Sequence, residues 1–386
     1  MAWSRYRPSA AGKSPVASSW ELTPQLFIFI ASLHIFSFSL LNKSRLRRHT
    51  VTEEGLRSSS DPKTLELRKG GISTAEHRTR KKRRKLSMAR LSSVLLVLAA
   101  LLSVLVCRAG AAEKTGQITV FWGRHADEGT LGDACNFDGI YTTVVMAFLN
   151  VYGHGKYQLD LSGHPVAGVG DDIKHCQSLG IPVFLSVGGF GGDYGLPTNQ
   201  SAVDLADHLW YSYLGGTRAG VPRPFGDARL DGIDFFFERG GAGEHYEVLA
   251  RELAKRKSTR GGDGGPPLRL TATPRCAFPD GRALVGRALA TGVFERIHVR
   301  FYDYPNCTAW IEDAWNQWTA AYPGSKVFLG LTASYTDACY LERKAVFDIV
   351  MPIVQKPDNY GGVMLWDRYN DEQNGNHYSS YVKNWV

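Results

Sequence analysis

Past residue 112 the chain alternates two apolar patterns. Continuous, β-branched and aromatic runs predict strands at Gln117–Gly123, Thr142–Asn150, Pro182–Phe190, Gly232–Glu238, Leu268–Pro274, His298–Tyr304, Lys326–Ser334 and Gly361–Tyr369. Between them, apolar residues recur at helical spacing in Asp171–Leu179, Val203–Leu214, Tyr246–Arg256, Ala283–Gly292, Trp310–Tyr322 and Lys344–Gln355. Strands buried on both faces and separated by crossover helices belong to a parallel sheet. Eight such units fit an α/β fold, a parallel eight-stranded (β/α)8 TIM barrel; a doubly wound open sheet is the alternative. The first strand runs into Phe121-Trp122-Gly123-Arg124-His125, which lacks the glycine spacing of a dinucleotide turn and favours the barrel. A barrel works at the carboxyl ends of its strands, and the polar residues there are Ser186, Glu238, Arg275, Tyr302, Asp303 and Asp367, with Trp366 beside them.

The first 111 residues follow neither pattern. Leu26 to Leu41 is apolar but short for a membrane span, and Arg80 to Lys85 is a basic run. At Met88 a secretory signal starts: Met88-Ala89-Arg90, an apolar stretch from Leu91 to Cys107, then small residues up to Ala112. The expected layout is a basic, disordered upstream extension at 1–87, a signal peptide at 88–111, and the barrel at 112–386. A membrane anchor at Leu26–Leu41 is the alternative; after signal cleavage no membrane attachment is expected. The expected destination is extracellular, the apoplast or cell wall.

Charge and cysteines sharpen this picture. Residues 1–111 hold 20 Lys and Arg against 6 Asp and Glu, whereas the remainder holds 25 against 31. The formal charge of +8 therefore belongs to the leader, and the mildly acidic body calls for no nucleic acid. Five cysteines remain after Cys107 leaves with the signal, and several pairings are open. Pairing neighbours, Cys135–Cys176 and Cys276–Cys307, would leave Cys339 as a buried thiol. Asn199-Gln200-Ser201 is a glycosylation sequon; Asn306-Cys307-Thr308 is a poorer one, because its middle residue belongs to an expected disulfide. His125, His154, His164 and His175 lack metal-ligand spacing, so no metal and no cofactor is expected. A monomer is expected. Trp366 and Tyr302 are placed at the mouth; the other aromatics read as packing.

On the fourth strand, Asp231-Gly232-Ile233-Asp234-Phe235-Phe236-Phe237-Glu238, the side chains of Asp234, Phe236 and Glu238 share one face. Asp234 and Glu238 would lie about 13 Å apart, beyond the working separation of a glycosidase carboxylate pair.

This strand resembles the Asp-Gly-x-Asp-x-Asp-x-Glu signature of glycoside hydrolase family 18. Ser186-Val187-Gly188-Gly189 resembles that family's Ser-x-Gly-Gly, and Phe301-Tyr302 and Met364-Leu365-Trp366 are similar to strand ends of plant class III chitinases. Thr115 to Arg124, Asp160-Leu161-Ser162-Gly163-His164 and Phe225-Gly226-Asp227-Ala228 resemble the cereal xylanase inhibitor proteins, chitinase-like barrels that bind microbial xylanases without chitinase activity. The resemblance implies that Glu238 is a vestigial general acid. Asp234 and Tyr302 are then vestigial partners, and Ser186, Gly188, Gly189, Arg275, Arg300 and Trp366 line the old cleft. Phe236 stands where the family has its last Asp. In this family the substrate's own acetamide attacks the anomeric carbon, and that carboxylate orients it; a phenyl ring cannot. Arg275 and Arg300 replace glutamines of the family, so Glu238 is expected to be ion-paired.

The resemblance also implies a partner-binding loop. Lys255 to Pro267 is basic and glycine-rich, and in the inhibitor family an arginine of this loop enters the cleft of family 11 xylanases. The match falls on Arg260. A guanidinium can bind two cleft carboxylates bidentately. The expected function is a secreted, catalytically silent inhibitor of microbial xylanases, with family 11 enzymes the first partner class and family 10 enzymes the second. The alternatives are a weak or altered family 18 glycosidase, in which Asp303 or Asp367 replaces the lost carboxylate, and a non-catalytic protein binding chitin-type oligosaccharides.

Overall fold

The computed structural model describes residues 114–386 except 242, 261–266, 280–283 and 303–305, together with Ser93, Val94, Leu96 and Val97; the side chains of 257–260, 306 and 307 are also outside the description. The chain divides into two units, Met1–Leu101 and Leu102–Val386. The readings of 1–87 and of Leu26–Leu41 lie outside the described residues, as does most of 88–111. Among the described residues no helix is long and apolar enough to cross a membrane.

Among the described residues of the second unit ten strands form: β1 Ile118–Trp122, β2 Thr143–Tyr152, β3 Gln158–Leu159, β4 Val183–Gly188, β5 Asp193–Tyr194, β6 Gly232–Phe236, β7 Arg269–Ala272, β8 Arg296–Arg300, β9 Lys326–Thr332 and β10 Tyr360–Trp366. The order β1-β10-β9-β8-β7-β6-β4-β2 closes on itself, because β1 pairs in parallel with both β10 and β2. Each of the eight predicted runs supplies one barrel strand. The short β3 and β5 are additions that pair with β2.

The helices are α1 Leu131–Cys135, α2 Val169–Ser178, α3 Asn199–Ser212, α4 Tyr246–Arg260, α5 Gly286–Leu289, α6 Asn306–Ala309, α7 Ile311–Ala321, α8 Arg343–Ala345, α9 Met351–Val354, α10 Arg368–Gln373 and α11 Tyr378–Lys383. A π-helical turn, Val346–Val350, joins α8 to α9, just before Pro352, which has no N–H to continue a regular ladder. Helix α4 continues to Arg260, so the first residues expected in the basic loop are helical instead.

Alternation along the strands builds two cores. Ile118, Val120 and Trp122 face outward to the helices, with Val144 and Met146 of the next strand. Phe121, Val145, Ala147, Phe184, Phe236, Phe328 and Met364 fill the barrel interior. The disulfide Cys135–Cys176 ties α1 to α2 across a sequence separation of 41, a closure worth about 4 kcal/mol in the chain-entropy model. Cys276 is disulfide-bonded; Cys307, the partner expected for it, lies outside the described side chains. Cys339 is free and buried.

Candidate functional site

The carboxyl end of β6 rises through three inward positions, and each meets different chemistry. Asp234 is fully buried. Ser186 donates to one of its oxygens at 2.8 Å, and Thr271 and Thr273 donate to the other at 2.7 and 2.8 Å. His298 Nδ1 lies 3.6 Å from the same carboxylate, and burial holds this imidazole below its ordinary range against the pull of Asp234. The lowest carboxylate is thus satisfied by side chains of β4 and β7 and by Thr273, the residue after β7.

Two residues up, Phe236 is fully buried in an aromatic nest. Its ring centroid lies 5.8 Å from Phe121, 5.1 Å from Phe148, 5.2 Å from Phe190 and 5.8 Å from Trp366. The guanidinium carbon of Arg300 sits 4.1 Å from the centroid. A desolvated cation over an aromatic face is worth about 2 kcal/mol. The ring thus takes up a buried cation where an acidic side chain would have offered an oxygen.

Glu238 lies two residues beyond the end of β6. Arg300 binds one of its carboxylate oxygens and Arg275 binds the other. The Arg300 side chain is buried, with Nε donating to the Thr273 carbonyl at 3.2 Å, whereas Arg275 is half exposed. The Glu238 amide donates to the Tyr194 hydroxyl at 3.0 Å, and that hydroxyl donates to the Gly189 carbonyl at 2.9 Å. Both Glu238 oxygens are therefore taken by guanidinium groups.

The two glycines that end β4 make this packing possible. Gly188 has φ +105°, and a Cβ there would meet the Phe236 carbonyl at 2.1 Å; at Gly189 it would run into the Phe148 ring at 2.4 Å. Only glycine tolerates both the backbone and the approach.

The sequence-predicted residues therefore come together at one end of the barrel: Glu238, Arg275 and Trp366 at the mouth, with Gly188, Gly189, Phe236 and Arg300 packed below them and Ser186 and Asp234 lowest. Tyr302 is fully buried and stacks 6.3 Å from Trp366, so it lies beneath the mouth rather than lining it. Phe190, read from sequence as packing, is 40% exposed and belongs to the mouth. Tyr194, also read as packing, positions Glu238. Asp367 is buried as the N-cap of α10, its Oδ1 accepting from the Asn370 amide at 3.0 Å, so it does not face the mouth as a substitute carboxylate. Asp303 lies outside the described residues. So do the Arg260 side chain and residues 261–266. Asn199 is exposed in the first turn of α3. Among the described residues no group of His, Cys, Asp and Glu could hold a metal ion.

Comparison with known proteins agrees with this geometry. The family model described as glycosyl hydrolases family 18 matches residues 117–343. Xylanase inhibitor protein 1 of Triticum aestivum is 55% identical over 75% of this chain and 94% of its own length. An acidic endochitinase of Vitis vinifera is 38% identical over 70% of this chain and 92% of its own. The crystal structure of a xylanase and alpha-amylase inhibitor protein from Scadoxus multiflorus superposes with a TM-score of 0.63 at 36% identity, covering 70% of this chain and 98% of that one. With motif, barrel and relatives in agreement, the chain is a member of glycosyl hydrolases family 18.

Proposed function

We propose that residues 112–386 form a secreted inhibitor of microbial endo-xylanases, built on a chitinase-type barrel that no longer hydrolyses chitin. The observation that carries the loss of catalysis is the Phe236–Arg300–Glu238 arrangement. Substrate-assisted hydrolysis needs a carboxylate to orient the acetamide and a neighbouring acid to protonate the leaving oxygen. The first is a phenyl ring here, and the second is clamped by two arginines. An acid–base contribution is typically worth about 100- to 10,000-fold.

What supports the inhibitor reading is the resemblance to xylanase inhibitor proteins together with Arg260 at the end of α4. The mechanism is occlusion: the Arg260 guanidinium enters the acidic cleft of a family 11 xylanase and pairs with its carboxylates, while family 10 enzymes are a second partner class. In this reading the chain leaves the cell through the signal at 88–111, carries a glycan on Asn199, closes Cys276–Cys307 as its second disulfide, and works as an extracellular monomer.

The test sets chitin-oligomer hydrolysis beside inhibition of one family 11 and one family 10 xylanase. Inhibition without hydrolysis is expected. Turnover of the oligomer, abolished by Glu238→Gln, would replace this reading with a working glycosidase. A second reading, oligosaccharide binding without hydrolysis, is favoured by the partly exposed faces of Phe190 and Trp366. It requires chitin-oligomer binding that Trp366→Ala removes.

A further inference from the structure

The mouth joins partly exposed aromatic faces to guanidinium groups. Phe190 and the half-buried Trp366 meet edge to face at 5.6 Å. The Arg300 guanidinium carbon lies 5.8 Å from the Phe190 centroid. The same guanidinium binds one oxygen of Glu238, and Arg275 binds the other. One carboxylate thus holds both guanidinium groups together beside the aromatic faces, within the reach of a single sugar ring.

The hydrogen-bonding capacity left in this mouth is one-sided. Arg275 reaches Glu238 through Nη2, and its side chain is half exposed. A guanidinium carries five N–H donors and no acceptor, so most of the Arg275 donors stay available. The Trp366 indole N–H is likewise a donor only. Both Glu238 oxygens already accept. The neighbouring acids are engaged elsewhere. Asp234 takes three hydroxyl hydrogen bonds below the mouth. Glu244 accepts from the Leu196 amide, Asp160 pairs with Arg124 at 3.5 Å, and Asp367 caps α10. The exposed Arg239 adds a further cation, its Nη1 donating to the Gly192 carbonyl at 2.7 Å. The ligand that fits such a mouth is an acceptor. A carboxylate is the best one, because it takes two parallel bonds from one guanidinium. The uncharged acetamides of a chitin-type chain gain nothing from this charge.

We propose that the mouth binds a uronic-acid sugar, with its ring against Phe190 and Trp366 and its carboxylate on the Arg275 guanidinium. Among the described groups, Glu238 alone leaves one positive charge of the Arg275–Arg300 pair uncompensated. A bound uronate brings two carboxylates to two guanidinium groups. The ring supplies apolar C–H faces for the aromatic side chains, and the carboxylate fixes its orientation. The proposal rests on the second reading above only in that the mouth holds sugar without hydrolysing it; the sugar it names is an acidic one. Inhibition of a xylanase at Arg260 is not involved. A carboxylate-bearing pyranose can come from a galacturonate chain or from a glucuronate branch on xylan, and the experiment separates the two.

The experiment is calorimetric titration of the full chain with each acid beside its neutral counterpart. Trigalacturonate is set against its methyl ester, and glucuronate-substituted xylotriose against plain xylotriose. Chitotriose is titrated in parallel, and its turnover is followed in the same samples. At least one acid is expected to bind about tenfold more tightly than its counterpart and than chitotriose. The acid that does so identifies the source. Arg275→Gln should bring that acid down to the level of its neutral counterpart. Phe190→Ala should weaken both members of the pair and keep their ratio. Equal binding of acid and counterpart, binding of neither acid, or an acid preference that survives Arg275→Gln would overturn the proposal while leaving a silent mouth. Turnover of chitotriose would overturn the reading beneath it, and the proposal with it.

Discussion

Phe236, Arg300 and Glu238 form one unit: the ring takes the guanidinium on its face, and the guanidinium takes the carboxylate. Restoring the family's Asp alone should therefore fail. In Phe236→Asp the new carboxylate would lie beside Arg300 and pair with it instead of with a substrate. The loss of the buried ring should cost about 3 kcal/mol or more. Chitin-oligomer hydrolysis is expected to stay at background in the single variant, and to rise by about 100-fold when Arg275→Gln and Arg300→Gln are added. Full activity from Phe236→Asp alone would mean that the arginines are bystanders. Phe236 could be singled out from the sequence because a recognisable signature surrounds it. The part of Tyr194 could not be read, since a two-residue strand has no periodicity and nothing in the sequence places its hydroxyl at the Glu238 amide.

At the scale of elements, all eight barrel strands were legible because strands buried on both faces read as unbroken apolar runs. Seven of the eight carboxyl ends were drawn too long, whereas β2 runs two residues further than expected, to Tyr152. Phe237 and Glu238 continue the pattern of β6, yet the strand stops at Phe236. Its last register partners are Ala272 on β7 and Gly188 on β4, and beyond them the Glu238 amide donates to the Tyr194 hydroxyl instead of to a neighbouring strand. β3 and β5 were missed because two-residue strands have no periodicity to read. The segment between α3 and β6 shows a different kind of order, built on one side chain. Arg223 donates to five carbonyls, those of Tyr211, Leu214, Gly216, Gly226 and Ala228, at 2.7 to 3.0 Å. A lysine offers a point charge with no planar fork and cannot reach them together. Arg223→Lys should lower stability by about 2–3 kcal/mol and open residues 215–227 to proteases. Denaturant unfolding with limited proteolysis checks this; a loss below about 0.5 kcal/mol with no new cut would leave Arg223 a surface residue.

The barrel as a whole separates two poles. The mouth with Glu238, Arg275 and Trp366 sits at the carboxyl ends of the strands. Helix α4 ends at Arg260 and β7 begins at Arg269, so the segment joining them enters the sheet from the amino pole. Strands of five residues span roughly 17 Å, so no side chain bridges the two ends. In the proposed inhibitor this means that the old active site could decay without touching the new contact. The two poles should then respond independently to substitution. Glu238→Gln should change inhibition of a family 11 xylanase by less than twofold, while Arg260→Ala should weaken it by about 30-fold, the size of an interface hot spot. Inhibition constants and thermal midpoints measured on the same samples separate lost contact from lost fold. If Glu238→Gln weakened inhibition as much as Arg260→Ala with the fold intact, the xylanase would have to be docking at the carboxyl pole, and the old cleft itself would be the inhibitory surface.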